Sequence, residues 1–405
     1  MVMTADRDRG SPARIQHLDG LRGAAAFVVF MSHLTIVIFP SIFNGIPAMA
    51  RLHYEWMLAG TPLDILWAAN FAVCIFFVMS ALVLSNFYEH NDGSFVAICA
   101  RRYVRLVVPI LATSFTAYAL WASGAMYNLK AQAITQEGWL KSQYLTIPSF
   151  GDYLSESLYR VFLTPTSEYN PPLWTMKYEM EGSLGVFALY ALVPQLRFRI
   201  VILLAALVVF FKTYYMCFVG GVLIYESTKF RGVLPIPVLW AVLLCGAYMG
   251  AFPYNVGAPE NPWFGRMTFL RVEEWHIIGA IPLVFACMYI PAVCRFFYHP
   301  VLQYLGKISF SLYLIHGPLL CSFMSFLIVA LYGPPHAKFA MFSAAVAVIP
   351  VTLACAHLIY KYVDSPAVEL SRSVGRWIDT LSDRPTAATV GSSAEPSAAA
   401  HVAAE

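Results

Sequence analysis

A chain of 405 residues that is 59% hydrophobic and 12% charged departs from soluble domains, where about a quarter of the residues carry charge, and cannot hide its apolar surface in one aqueous core. A formal net charge of +3, with no basic tract interleaved with aromatics, excludes nucleic acid as a partner. The composition is that of an all-α polytopic membrane protein, with the lipid bilayer as its first partner.

In chain order, the first 21 residues are rich in Arg, Asp, Gly and Pro and lack the short apolar core and small-residue cleavage site of a secretory signal. Residues 1–17 read as a cytoplasmic tail, and the first transmembrane helix is expected to do the targeting. That helix opens with Leu18-Asp19-Gly20-Leu21-Arg22 and reaches Ser32-His33-Leu34. Eleven residues are three helical turns plus about 20°, so Arg22 and His33 share one stripe roughly 16 Å apart, one at a membrane boundary and one near the bilayer centre. An ionisable residue that deep marks a polar cavity or pathway. The alternative is a core histidine bonded to a neighbouring carbonyl.

Apolar runs fall near 22–42, 62–86, 104–124, 173–194, 200–226, 233–252, 274–294, 307–331 and 338–361, each long enough for one crossing. The run 200–226 is interrupted by Lys212 and two tyrosines and carries bases at both ends, Arg197 and Arg199 before it, Lys229 and Arg231 after it. The positive-inside tendency then predicts two short tilted helices or a re-entrant hairpin. Counted as two, it gives a bundle of about ten transmembrane helices. This count puts both termini, an Arg101–Arg105 loop, Arg295 and Lys307 on the cytoplasmic side, and segments 125–172 and 253–273 on the other. Arg266 and Arg271 fall on the wrong side. The domain is expected over 18–370, followed by a cytoplasmic tail over 371–405, largely disordered because Ala, Ser, Thr and Pro dominate it from 380 on.

The eight cysteines form no CxxC pair and sit almost entirely in apolar runs, as small core hydrophobes do. No zinc-ligand spacing, Walker-type glycine loop or Asn-x-Ser/Thr site occurs, so no metal and no nucleotide hydrolysis are expected.

Four polar groups interrupt the apolar pattern. The first is the Arg22/His33 stripe with Asp19 one turn below. The second is Phe76-Phe77-Val78-Met79-Ser80, followed by Arg101-Arg102-Tyr103-Val104-Arg105-Leu106; Arg102 and Arg105 are three apart, hence adjacent on a helix, and suited to phosphates of a soluble donor. Spacing alone favours ordinary flank arginines. The third is Leu173 to Ser183, where Lys177 and Glu181 can pair or Glu179 can face a cavity. The fourth is Leu305 to Pro318, which carries His316 about ten residues into its helix.

Together these stretches resemble the integral-membrane acyltransferase family 3 from about residue 15 to 370. The matching pieces are LDGLRG with Arg22 and His33, FFVMS ending at Ser80, RRYVRL at Arg101 to Leu106, LWTMKYE at Leu173 to Glu179, GKISFSLYLIH ending at His316, and YVDSPA at Tyr362 to Ala367. Ala81 stands where the family usually has Gly, and Asp364 where it has Glu. The LWTM wording looks more like fungal members. The resemblance implies a multi-pass O-acyltransferase, with no bound cofactor, that moves acetyl from cytosolic acetyl-CoA to a hydroxyl of a secondary metabolite or glycolipid, or of a cell-surface polysaccharide. The membrane would be the endoplasmic reticulum or another endomembrane in a fungus, the inner membrane in a bacterium.

The chemistry stands beside the resemblance. Acyl transfer to an alcohol needs its proton removed as oxygen attacks a thioester, a task for a neutral imidazole. His33 is the expected general base, held neutral by its apolar setting. Arg22, Arg102 and Arg105 would hold the CoA phosphates, Asp19 would orient Arg22, and Glu179 and His316 would line the acceptor side. Ser80 is a poor nucleophile because nothing in the sequence places a base beside it. A proton-coupled transporter built on the same buried groups is the alternative of another class.

Overall fold

The computed structural model describes residues 16–146, 149–230, 232, 234–254, 261–333 and 337–382. The long helices are α1 (Gln16–Ile38), α2 (Ala69–Glu89), α3 (Phe95–Ala122), α4 (Met176–Leu192), α5 (Leu196–Val209), α6 (Tyr215–Ser227), α7 (Ile236–Gly250), α8 (Val272–Tyr289), α9 (Pro300–Leu331), α10 (Ala337–Ile359) and α11 (Ser365–Ser382). No strand occurs among the described residues, and the chain is an all-α membrane protein. By length and composition α1, α2, α8, α9 and the continuous run Lys338–Leu381 can cross a bilayer, while α6 and α7 are shorter apolar helices. Inside α9 the helix widens to a π turn at Leu320–Met324 directly after Pro318, whose missing N–H breaks the regular ladder.

The pairing of α1 with α9 positions the rest. A Cβ added to Gly23 would lie 2.4 Å from the Leu302 carbonyl oxygen, and one on Gly306 would lie 2.1 Å from that of Asp19. Only glycine lets the two backbones approach so closely, the small-residue contact that membrane helices use in place of hydrophobic association. The same contact brings the rings of His33 and His316 to 5.1 Å between centroids.

The interrupted run at 200–226 is indeed two helices, α5 and α6, joined by a turn in which Lys212 takes a left-handed φ of 67°. Its flanking bases do more than border a membrane. Arg199, 4% exposed, meets Glu226 at 2.9 Å and Glu89 at 3.2 Å, and Lys229 meets the same two carboxylates at 2.8 and 2.6 Å. Tyr190 donates to Glu226 at 2.7 Å. This cluster ties the ends of α2, α4, α5 and α6 together, and removing one member of such a buried set leaves an uncompensated charge.

Two expectations need correction. Arg101–Arg105 lies in a continuous helix, because Ser94 caps α3 nine residues before the apolar run, its hydroxyl accepting the Ala97 N–H. Residues 371–382, expected in the disordered tail, belong to α11, which runs on from α10 and packs on α3. Ser371 is buried, a Cβ on Gly375 would lie 2.4 Å from Arg101, and Asp379 accepts the Ser94 N–H at 2.9 Å. The tail composition that suggested disorder begins further on, and 383–405, like residues 1–15, lies outside the described residues.

The segment between α3 and α4 folds over one end of the bundle. Its short helix Gly138–Lys141 is capped by the Glu137 carboxylate, which accepts the N–H groups of Trp139 and Leu140 at 2.6 and 2.7 Å. Burial pushes the Glu137 carboxyl up while these two bonds oppose the shift. Asn128 fixes the same turn by donating to the carbonyls of Leu140 and Gln143.

Candidate active site

Two cavities flank the middle of the bundle. The arginine chamber, about 140 Å³, is lined by Arg22, Arg102, Arg105, Ser80 and Glu179, with Phe310 beside them. The histidine chamber, about 630 Å³, holds His33 and Ser32 from α1 and Trp139 and Gln143 from the covering segment. Val73 of α2 and Tyr313 of α9 line both, so the two spaces meet at these side chains.

In the arginine chamber Arg102 is held from two helices. Its Nη2 pairs with Glu179 and lies 3.2 Å from the Ser80 hydroxyl, and its Nε donates to Ser183 at 2.9 Å. Ser80 also donates to Glu179. Arg105 pairs with Asp364, and its guanidinium covers Phe310 at 5.6 Å. Arg22 feels Asp19, Glu179, Asp364 and the like charge of Arg105. Three guanidiniums converge on a space to which one carboxylate, Glu179, contributes directly. That excess suits a polyanion, since Arg offers planar donors matched to phosphate.

Two details of the arginine chamber were not visible in the sequence. Glu179 lines this cavity and not the histidine chamber, because α4 begins at Met176 and turns its first helical face toward Arg102. A carboxylate does sit beside Ser80, which the sequence concealed because 99 residues separate the two. The oxygen that accepts from Ser80 also pairs with Arg102, so the charge of this carboxylate is balanced by the guanidinium. Lys177 and Glu181 form the expected pair.

In the histidine chamber the ring of His33 has Nδ1 2.9 Å from the Val29 carbonyl oxygen. A carbonyl only accepts, so Nδ1 carries the proton in the neutral ring and Nε2 keeps its lone pair. Trp139 lies 5.0 Å from the ring on one side and His316 at 5.1 Å on the other. His316 is fully buried, with Nδ1 3.2 Å from the Leu312 carbonyl oxygen and Nε2 without a partner among the described residues. The carbonyl bond of the structural alternative is therefore present at His33, His316 makes the same kind of bond, and in the neutral form of each ring it leaves Nε2 with its lone pair.

Sequence reading missed Val73, Tyr313 and Trp139. Tyr313 donates to the Pro172 carbonyl at 2.7 Å and lies 2.9 Å from the Thr175 hydroxyl, linking α9 to the start of α4. Its position three residues before His316 places it on the same helical stripe, a signal that was present in the chain. The other two carry no sequence signature. Among the described residues no group of three or more His, Cys, Asp or Glu is placed to hold a metal ion.

Comparison with known proteins identifies the family. Residues 15–361 match the profile of the acyltransferase domain of family 3. The chain is 25% identical to acyltransferase clz18 of Cochliobolus lunatus, over 76% of this chain and 83% of that protein. It is 26% identical to acyltransferase R4 of Phoma sp. (strain ATCC 20986 / MF5453), over 88% and 94%. A shorter stretch, 29% of this chain and 26% of the relative, is 29% identical to O-acetyltransferase PaAT-1 of Phomopsis amygdali. No solved structure matches. The chain belongs to the integral-membrane acyltransferase family 3 and is a membrane-embedded acyltransferase.

Proposed function

We propose that the protein takes acetyl from acetyl-CoA in the arginine chamber and transfers it to a hydroxyl in the histidine chamber, with His33 as general base. The observation that carries the reading is the junction of the two chambers at Val73 and Tyr313, which joins a polyanion site to a space holding a fixed, neutral imidazole.

Arg22, Arg102 and Arg105 hold the CoA phosphates, presented from the cytosol in keeping with Arg22 in the N-terminal part of α1 and the three arginines in that of α3. The thioester reaches past Val73 and Tyr313. His33 Nε2 takes the proton of the acceptor hydroxyl as its oxygen attacks the thioester carbonyl carbon. The C–S bond then breaks, and the imidazolium returns the proton to the CoA thiolate. His316 is a positioning residue, its ring packed on that of His33. The fungal relatives favour a secondary metabolite as acceptor and an endomembrane as the location, with a glycolipid or cell-surface polysaccharide as the other acceptor classes.

Membranes containing the protein, given radiolabelled acetyl-CoA and a hydroxylated metabolite extract, should form a covalently acetylated product with no ion gradient. A chemically unchanged substrate moved only in energised, sealed vesicles would establish a proton-coupled carrier instead.

A further inference from the structure

The polar groups of the histidine chamber share a property that no single residue reveals. Tyr214 donates its hydroxyl proton to Asn70 Oδ1 at 2.7 Å, Asn70 Nδ2 lies 3.1 Å from His276 Nδ1, and His276 Nε2 lies 3.0 Å from the Phe252 carbonyl oxygen. The carbonyl fixes the direction of the whole chain. His276 Nε2 must donate, so Nδ1 accepts, so Asn70 presents its amide nitrogen there and its oxygen to Tyr214. The Tyr214 oxygen is left with a free lone pair. Tyr313 likewise donates away, to Pro172, and His33 to Val29. Three chamber-lining groups thus turn their protons into the protein and offer acceptors inward.

The rest of the wall agrees. Aromatic rings are supplied by Trp67, Trp139, Trp174, Tyr214 and Tyr254, and among the described residues no Asp, Glu, Lys or Arg lines the chamber. Glu273 lies close enough to act on the hydroxyls of Tyr214 and Tyr254, adding a negative field at one side. An anion would enter with no cation to meet it; the neutral donors of the wall, Ser32, Gln143 and the tryptophan indoles, cannot balance its charge. A neutral molecule rich in hydroxyl donors, with flat ring faces for the aromatic walls, has partners for both kinds of surface.

We infer that the histidine chamber takes an uncharged, ring-bearing alcohol and rejects anionic acceptors. This rests on the acyltransferase reading above and narrows its substrate class. Trp139, beside His33, is the specificity-determining residue that presents one ring face of the acceptor to the base.

The full-length protein in nanodiscs, given radiolabelled acetyl-CoA, is offered phenyl β-glucoside, phenyl β-glucuronide and phenyl β-glucosaminide, which share a frame and differ in charge. Transfer to the glucoside should exceed transfer to either charged analogue by at least about tenfold in kcat/KM, the scale of one uncompensated buried group. Trp139→Ala should raise the KM for the glucoside and leave that for acetyl-CoA unchanged, and Gln143→Arg should raise the glucuronide's relative rate. Equal or faster transfer to the glucuronide overturns charge exclusion, and faster transfer to the glucosaminide overturns neutrality in favour of an ammonium site. A protein that binds acetyl-CoA but acetylates none of the three overturns the ring-bearing class, whereas one that fails to bind acetyl-CoA overturns the acyltransferase reading itself.

Discussion

The arginine chamber and the histidine chamber meet at two side chains yet are built on opposite rules. The first concentrates charge: three guanidiniums, each in the field of a carboxylate, surround a space of about 140 Å³. The second, at about 630 Å³, has no Asp, Glu, Lys or Arg among the described residues of its wall and holds the His33 imidazole by Nδ1 on the Val29 carbonyl. The difference fits the division proposed above, a donor site kept apart from an acceptor site. Phosphate recognition needs fixed cations, while a general base must stay deprotonated, and a guanidinium beside His33 would stabilise the hydroxyl's conjugate anion but also anchor the wrong ligand.

The largest effect expected from breaking this division is at His33. His33→Ala should lose the roughly 10²–10⁴-fold that a positioned base contributes, and His33→Gln should be nearly as inactive, because an amide keeps a hydrogen bond but not the basicity. Turnover of the Gln variant above about a tenth of wild type, at equal membrane expression, removes His33 as the base.

Next is the donor room. Arg102→Gln with Arg105→Gln should weaken acetyl-CoA binding by about 1.5–3 kcal/mol for each charge-assisted hydrogen bond removed, with acceptor KM unchanged. Both changes also strand a carboxylate, Glu179 and Asp364, so Glu179→Gln and Asp364→Asn added to the pair should restore expression without restoring binding. Donor affinity equal to wild type in the folded quadruple variant takes these arginines out of the site.

The boundary can be tested on its own. Val73→Phe adds bulk at the junction and should cut acyl transfer by about tenfold or more, a misplacement effect of the size that small shifts in geometry produce, while acetyl-CoA binding measured by titration stays intact. Equal transfer rates would mean that the acyl group does not pass between Val73 and Tyr313.

The smallest effect concerns the rim of the histidine chamber. Asp64, in the turn before Trp67, accepts the Gly60 N–H at 3.0 Å, and burial pushes its carboxyl up from 3.8 to about 7. Between these values the folded protein holds a proton that the unfolded chain releases, so this group favours folding below about pH 4 relative to pH 7, and stability falls as pH rises through the window. Protection of the amides at residues 60–67, after correction for the intrinsic rise of exchange with pH, should fall over that range in the wild type and stay level in Asp64→Asn. A dependence unchanged by the substitution assigns it to another group.

Much of the arginine chamber was legible in the sequence. Arg102 and Arg105 are three apart on one helix and Arg22 sits at the start of another, so helical geometry alone predicts a basic face at one end of the bundle. His33 and His316 stood out because ionisable residues are costly in the bilayer interior. Glu179 was legible as a carboxylate able to face a cavity, but its partners Arg102 and Ser80 were not, since a sequence shows that a carboxylate is near a helix start and not which neighbour it faces. The outer wall was illegible: Trp139, Tyr214 and Asn70 are ordinary residues in ordinary segments, made specific by the fold of the long connection between α3 and α4 and by His276, 206 positions from Asn70.

The sequence by itself determined the solvent, the helical class and which ionisable residues lie within apolar helices, because hydropathy and the cost of buried charge act locally along the chain. The tertiary structure alone decided which groups share a space. Helix contacts set by Gly23 and Gly306 bring His33 onto His316, and a hydrogen-bond chain ending on the Phe252 carbonyl directs the proton of Tyr214. Such choices depend on which backbone carbonyl lies opposite which ring, and that is a property of packing rather than of composition.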